Sequence, residues 1–250
     1  MKKTLFIFLL ITVFYSCKTP VFFNSKVTAN TISVDSSTAT NQNISEIIAP
    51  YKAQMVSEIN TIISYTPKDL TRYDGKMQSS LGNLMADLSY KRGNPLFKEK
   101  TGQDIDFALF NYGGIRASVN KGDVTNEDAF KLMPFENSLV VVELSGEKII
   151  ELFDYFISNK TAHPISKNIQ LTLSADNSYN LLINGATFDK TKNYYVLTSD
   201  YLQTGGDKMN FFIDPVALIK IDYKIRDAII DEFKSLDTIK VTTDNRIILK

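Results

Sequence analysis

The sequence predicts an α+β, or mixed α/β, fold. Three observations carry that expectation. Segments of helical period and segments rich in β-branched residues are interleaved along the chain. Several connections between them are too short for regular βαβ crossovers. Glycine pairs follow two of the strand-like segments, where the chain must turn sharply. With 44% hydrophobic and 22% charged residues, the 250-residue chain can build an ordinary packed core.

Asn43 is a candidate cap for the first helix, with Glu46 at the capping-box position and Ile44, Ile47, Ile48, Tyr51 and Met55 at helical spacing. Residues 59–65 are rich in β-branched side chains and read as a strand ended by Pro67. Residues 81–91 read as a helix with Leu81, Leu84, Met85 and Leu88 on one face. Residues 105–110 read as a buried strand. Thr125 and Asp128 offer a helix start and Pro134 a stop. Residues 138–144 form a clear strand, and Gly146 turns it into a helix containing Ile149, Leu152, Phe153 and Phe156. Residues 169–173 and 179–183 read as a hairpin, and Asn184-Gly185 marks a further turn. Residues 194–198 form another strand, 225–233 a helix, and 246–249 a last strand.

Three regions are expected. Residues 1–17 read as an export signal: Lys2 and Lys3, then an apolar run, then Ser16-Cys17. The run is shorter than the roughly 20 residues of a spanning helix. Ser16-Cys17 resembles a bacterial lipoprotein box, which makes Cys17 the lipidation site and the membrane a partner through its acyl chains. Residues 18–42, rich in Ser, Thr and Asn, read as a flexible tether, and 43–250 as one folded domain. The expected location is therefore the bacterial cell envelope, on its periplasmic or cell-surface face. A single cysteine rules out an internal disulfide. A formal net charge of zero gives no broad field for a nucleic-acid backbone, so no nucleic-acid partner is expected. A small anion held by one or two cations remains compatible with that balance.

The candidate chemistry lies in the glycine clusters. In Asn111-Tyr112-Gly113-Gly114-Ile115-Arg116, the glycines let the backbone approach a ligand and Arg116 supplies charge-assisted donors. In Thr204-Gly205-Gly206-Asp207, Asp207 is an acceptor suited to paired hydroxyls. Phe135 and Tyr201 lie beside these clusters in connections, where two rings can sandwich a flat heterocycle. Each cluster alone is also what a plain turn presents, and each ring alone is what a core position presents.

Four motifs in order carry a family resemblance: Leu81-Gly82-Asn83-Leu84-Met85-Ala86-Asp87, the cluster ending in Arg116, Pro134-Phe135-Glu136-Asn137-Ser138-Leu139-Val140, and Tyr201-Leu202-Gln203-Thr204-Gly205-Gly206-Asp207. Together they resemble the C-terminal, substrate-recognition domain of 5′-nucleotidases and related periplasmic nucleotide hydrolases, a domain of layered sheets and helices. The resemblance implies that Phe135 and Tyr201 clamp a base and that Asn111 reaches the base edge. It also implies that Arg116 contacts the ribose or phosphate side and that Asp207 holds the ribose hydroxyls, with Gly113, Gly114 and Gly206 in the same site. Tyr112 replaces a glycine of that pattern and is expected to narrow the pocket. Tyr201 replaces a phenylalanine, and Glu136 a glycine. An arginine usual before the Leu-Gly-Asn-Leu helix is missing from residues 73–78, which leaves Lys76 as the expected phosphate contact.

The resemblance places hydrolysis on two divalent metal ions in a separate N-terminal domain, built from clustered His, Asp and Asn ligands. This sequence has one histidine, His163, which reads as a surface-loop residue, and no Asp-x-His, Asn-His-Asp/Glu or Gly-His-x-His arrangement. No Gly-x-Ser-x-Gly elbow or Walker loop is present either. No catalytic residue, cofactor or metal is therefore expected in this chain, and the divalent metals are expected only in a partner. Three readings follow: a nucleotide-recognition component completed by a separate metallophosphatase subunit, a non-catalytic lipoprotein that binds nucleosides or nucleotides, or a decayed scaffold.

Overall fold

The computed structural model describes residues 22–176 and 178–250. The expected signal segment, Cys17 and the start of the tether lie outside them. The chain divides into two compact units, Met1–Ile48 and Ala49–Lys250. In the first, residues 22–41 contain no helix or strand, and a turn at residues 35–38 is held by the Asp35 carboxylate, which accepts from the Ser37 N–H at 2.9 Å. Helix α1, Gln42–Ile59, begins there. Its cap is Asn41, whose side chain accepts from the Ile44 N–H, rather than the Asn43 that the sequence suggests. No helix among the described residues is long and apolar enough to cross a membrane.

The second unit is a mixture of helices with three sheets, in agreement with the α+β reading. Strand β1 (Ile62–Thr66) pairs antiparallel with β3 (Gly122–Thr125). Helix α2 (Ser80–Thr101) is capped by Ser79, whose hydroxyl accepts from the Gly82 N–H, and it ends at Gly102 in the left-handed region. It runs ten residues past the predicted end and passes through Pro95. Leu81, Leu84, Met85, Leu88 and Phe97 bury its inner face.

The central sheet has the order β2 (Phe107–Ala108), β8 (Asn193–Ser199), β4 (Ser138–Ser145), β9 (Ala217–Lys224). Strand β4 runs antiparallel to β8, with Leu139 opposite Ser199, and antiparallel to β9, with Ser138 opposite Lys224. Strand β2 runs parallel to β8, with Ala108 beside Leu197. The start of β4 and the ends of β2, β8 and β9 therefore share one edge of the sheet. The connections bearing Asn111, Phe135, Tyr201 and Ile225 leave from that edge.

Helix α3 (Asn126–Leu132) starts where the sequence suggests, with a capping box between Thr125 and Asp128. Helix α4 (Gly146–Asn159) packs Ile149, Leu152, Phe153 and Phe156 onto the core. Strands β5 (Ile169–Leu173) and β6 (Tyr179–Ile183) pair as predicted. Asn184-Gly185, both at positive φ, turns β6 into β7 (Ala186–Thr187). The short helix α5 (Asp200–Gln203) follows β8, and helix α6 (Ile225–Lys234) follows β9. Strand β10 (Ile247–Leu249) lies parallel to β5. Strands β3, β7 and β9 are not legible in the sequence. In β9 the alternation breaks at Asp222, which takes φ 54° at a shift in pairing with β4.

Candidate functional site

The cleft opens where those connections converge, on the same edge of the central sheet. It is a cavity of about 290 Å3, and seven of the predicted site residues line it: Asn111, Gly113, Gly114, Arg116, Phe135, Tyr201 and Asp207. The two rings do not lie in the core. Phe135 is 42% exposed and Tyr201 is 44% exposed, large apolar faces left open to a ligand.

Each wall is fixed locally. The first is a 3-10 turn, Tyr112–Gly114, reached from β2 through Leu109, Phe110 and Asn111 and closed by the Gly114 N–H donating to the Asn111 carbonyl at 3.1 Å. A Cβ on Gly114 would stand 2.9 Å from Asn111 Oδ1, so a larger residue there would push that side chain out of place. The second wall is Tyr201, on α5, whose cap is the Ser199 hydroxyl. Gly206 does not line the cavity but backs this ring: a Cβ there would lie 2.5 Å from two Tyr201 ring carbons.

Asp207 ties the first two walls together. Its Oδ2 accepts from Asn111 Nδ2 at 2.6 Å, and its Oδ1 accepts from the Tyr201 hydroxyl at 3.0 Å. That bond to Asp207 pushes the Tyr201 phenol above its ordinary range. Asp207 itself sits at φ 53°, and its carbonyl accepts from the Tyr155 hydroxyl at 2.9 Å. Each carboxylate oxygen has used one acceptor site, so the group retains capacity for two further hydroxyl donors.

The third wall is the Phe135 connection. Arg226, buried at the start of α6, donates to the Phe135 carbonyl at 3.4 Å and pairs with the Glu136 carboxylate. Lys224 pairs with the same carboxylate, and the Ile225 N–H donates to the Asn137 carbonyl at 3.0 Å. Hydrogen bonds from Lys224 and Arg226 hold the Glu136 carboxyl at about 2, well below its ordinary value. The Arg116 guanidinium lies 5.7 Å from the Phe135 ring centre and donates to the Gly113 carbonyl at 3.3 Å.

Several expectations need correction. Tyr112 does not narrow the cleft: its ring lies outside the lining, with the Arg72 guanidinium 4.3 Å from its centre. Lys76 lies in a different depression, together with Arg72. Sequence reasoning misses Arg72 itself, although it precedes the helix as a cation should. It donates to the Tyr112 carbonyl at 3.1 Å and the Ile115 carbonyl at 2.7 Å, bracing the glycine turn. His163 is not a surface residue. It is 6% exposed, packs between Tyr155 and Phe156, and its Nδ1 accepts from the Tyr112 N–H at 3.1 Å. Burial pushes its imidazole down to about 4, and the nearby Asp207 charge opposes that shift. Sequence reasoning also misses Asn137. It lines the cleft, and its Nδ2 donates to Asp200 Oδ1 at 3.0 Å.

Among the described residues no three His, Cys, Asp or Glu side chains converge. The cleft presents two aromatic faces, a carboxylate and a guanidinium.

Residues 58–214 match the family "5'-nucleotidase, C-terminal domain", and the chain belongs to that family. Two curated relatives and a solved structure give the particulars. The chain is 29% identical over 212 residues to cell wall protein Lmo0130 of Listeria monocytogenes, covering 76% of this chain and 26% of that protein. It is 27% identical over 209 residues to the trifunctional nucleotide phosphoesterase protein YfkN of Bacillus subtilis, covering 76% of this chain and 14% of that protein. The chain thus spans between 14% and 26% of the length of these two relatives. A 5'-nucleotidase precursor from Thermus thermophilus shares the fold, with a TM-score of 0.66 at 20% identity over 82% of this chain and 42% of that one.

Proposed function

We propose that this domain recognises a nucleoside or nucleotide, with the base stacked between Phe135 and Tyr201. One observation supports it above the others: both half-exposed rings, Asp207 and Asn111 line a single cavity. A purine or pyrimidine nucleoside offers two flat faces, a polar edge and a diol, and the cavity carries a counterpart to each. The rings take the faces. The spare acceptor capacity of Asp207 takes the ribose hydroxyls. Asn111 and Asn137 serve the base edge, each already oriented by a carboxylate. Arg116 serves the phosphate side.

Hydrolysis is then the work of a metallophosphatase unit on a separate polypeptide that docks at the mouth of the cleft. Divalent metals belong to that partner. Export through the N-terminal segment and lipidation of Cys17 put the domain at the cell envelope. The Listeria relative, named a cell wall protein, agrees with an exported setting.

Calorimetry with adenosine and AMP tests the reading. Phe135→Ala and Tyr201→Ala should each cost about 1–3 kcal/mol of binding, roughly five- to 150-fold in affinity, as expected for a lost stacking face. The melting temperature should move little, because both rings are half-exposed. Unchanged affinity in both variants would end the clamp assignment. The protein alone, given AMP and divalent metal, is expected to release no phosphate, and robust metal-dependent release would overturn the division of labour proposed here.

A further inference from the structure

The first N–H groups of a helical turn have no partner inside it, so each needs one from outside. Asn111 stands ahead of the glycine turn and is of a type that caps well, yet its side chain makes no bond to the turn. Its Nδ2 is committed to the Asp207 carboxylate at 2.6 Å. The Tyr112 N–H donates instead to His163 Nδ1 at 3.1 Å, an acceptor 51 residues away in sequence. We propose that His163 is a positioning residue of the cleft: it supplies the acceptor that Asn111 does not, and with Tyr155 it fixes the glycine turn and Asp207 relative to each other.

The contacts close a circuit behind the cleft. From His163 it passes through the Tyr112 N–H to the neighbouring Asn111, and from Asn111 Nδ2 to Asp207 Oδ2. The Asp207 carbonyl then accepts from the Tyr155 hydroxyl at 2.9 Å, and the Tyr155 ring returns to the imidazole, with ring centres 5.7 Å apart. Asn111 and Asp207 line the cavity, whereas His163 and Tyr155 do not. The two buttressing side chains therefore act on a ligand only through the two groups that face it.

Both walls need such support. Asp207 sits at φ 53°, in the left-handed region that a non-glycine residue keeps only when its surroundings hold it there. The Tyr155 hydroxyl holds it at the carbonyl, and the Tyr155 ring is itself wedged between His163 and Phe211. In the glycine turn, Arg72 grips the carbonyls of Tyr112 and Ile115, which leaves the N–H side to His163. A ligand that spans the rings and the carboxylate then meets walls already set, and less freedom is lost when it binds.

The inference rests on the nucleoside reading for its ligand and on the circuit alone for its geometry, so the experiment has an arm for each. Full-length wild type, His163→Phe, His163→Asn and Tyr155→Phe are titrated calorimetrically with adenosine, and exchange of the Tyr112 N–H is followed by NMR. Phenylalanine keeps a ring between Tyr155 and Phe156 but has no acceptor. Asparagine lacks the ring, and its Oδ1 stands near the place of Nδ1. His163→Phe should speed exchange of the Tyr112 N–H at least about tenfold and weaken adenosine binding roughly tenfold. His163→Asn should keep both within about threefold of wild type, although it melts at the lower temperature of the two because the lost ring leaves a cavity. Tyr155→Phe should weaken adenosine binding at least about threefold and leave the Tyr112 exchange unchanged. If affinity instead follows melting temperature, with His163→Asn the weaker binder, His163 is a packing residue alone and the proposal is overturned. Wild-type affinity in both His163→Phe and Tyr155→Phe overturns it too. If the wild type binds no adenosine, the clamp reading fails and the exchange arm decides this one: faster exchange in His163→Phe upholds the support, and unchanged exchange ends it.

Discussion

Single residues in this domain do two jobs at once, and His163 is the clearest case. As the chain's one histidine, it accepts from the backbone of the glycine turn while sealed between aromatic rings. The acceptor nitrogen must be unprotonated. Its pKa is about 4 in the fold and about 6.5 in the unfolded chain, so the unfolded chain binds more protons between those values. Its contribution is therefore complete above pH 6.5 and is lost as the pH falls towards 4. The depression is worth about 3 kcal/mol as an order of magnitude. Urea unfolding followed across this interval should show that slope, and His163→Gln should flatten it. A wild-type profile without the slope would mean that the imidazole is not sealed. Sequence cannot anticipate this burial. His163 lies in a polar-looking stretch, and only packing against α4 reveals its environment.

The link between α6 and the Phe135 connection carries the prediction that belongs to elements. Glu136 joins two cations from the β9–α6 junction and so fixes one wall of the clamp from outside. Glu136→Gln keeps the shape and removes the charge. It should weaken adenosine binding by roughly three- to tenfold, because an unanchored aromatic must be ordered on binding. With its carboxyl held at about 2, the wild-type link persists as the pH falls past the ordinary value of 4.5 and is lost only as the pH falls through about 2. Adenosine affinity measured by calorimetry on both proteins decides it, and equal affinities would remove Glu136 from the clamp's support. A second tie joins the C-terminal strand to α2. Arg246, almost fully buried, pairs with Asp87 and Asp244 and donates to the Ile165 carbonyl at 2.7 Å. Removing the guanidinium leaves the partly exposed Asp87 and Asp244 unpaired and the Ile165 carbonyl without its donor, so Arg246→Ala should cost about 1–3 kcal/mol in denaturant unfolding. A loss under about 1 kcal/mol would show that the tie is dispensable.

At the scale of the molecule, the sequence discloses more of the site than of the fold's edges. The motifs at residues 111–116, 134–140 and 201–207 name seven residues that the structure gathers into one cavity. They are legible because glycine, aromatic and acidic residues beside strand ends form local patterns. Lys76 fails as a member of that cavity because its place depends on the path of the chain before α2, which no short pattern encodes. Arg72 and Asn137 escape notice because their partners, the glycine turn and Asp200, are 40 or more residues away. Strand β9 escapes because it is a sheet edge, half-exposed and interrupted at Asp222, so its alternation is incomplete. The long strands β4 and β8, buried through most of their length, are legible almost to their ends.

The cleft's walls hang from β2, β4 and β8, so its rings, carboxylate and glycine turn meet only after strands distant in sequence have paired. A molecule that fits it can grip nothing in the unfolded or half-paired chain. Whatever occupies the cleft thus acts as a chaperone for the finished sheet. Its concentration then sets, by mass action, how much of the chain stays folded and out of reach of proteases.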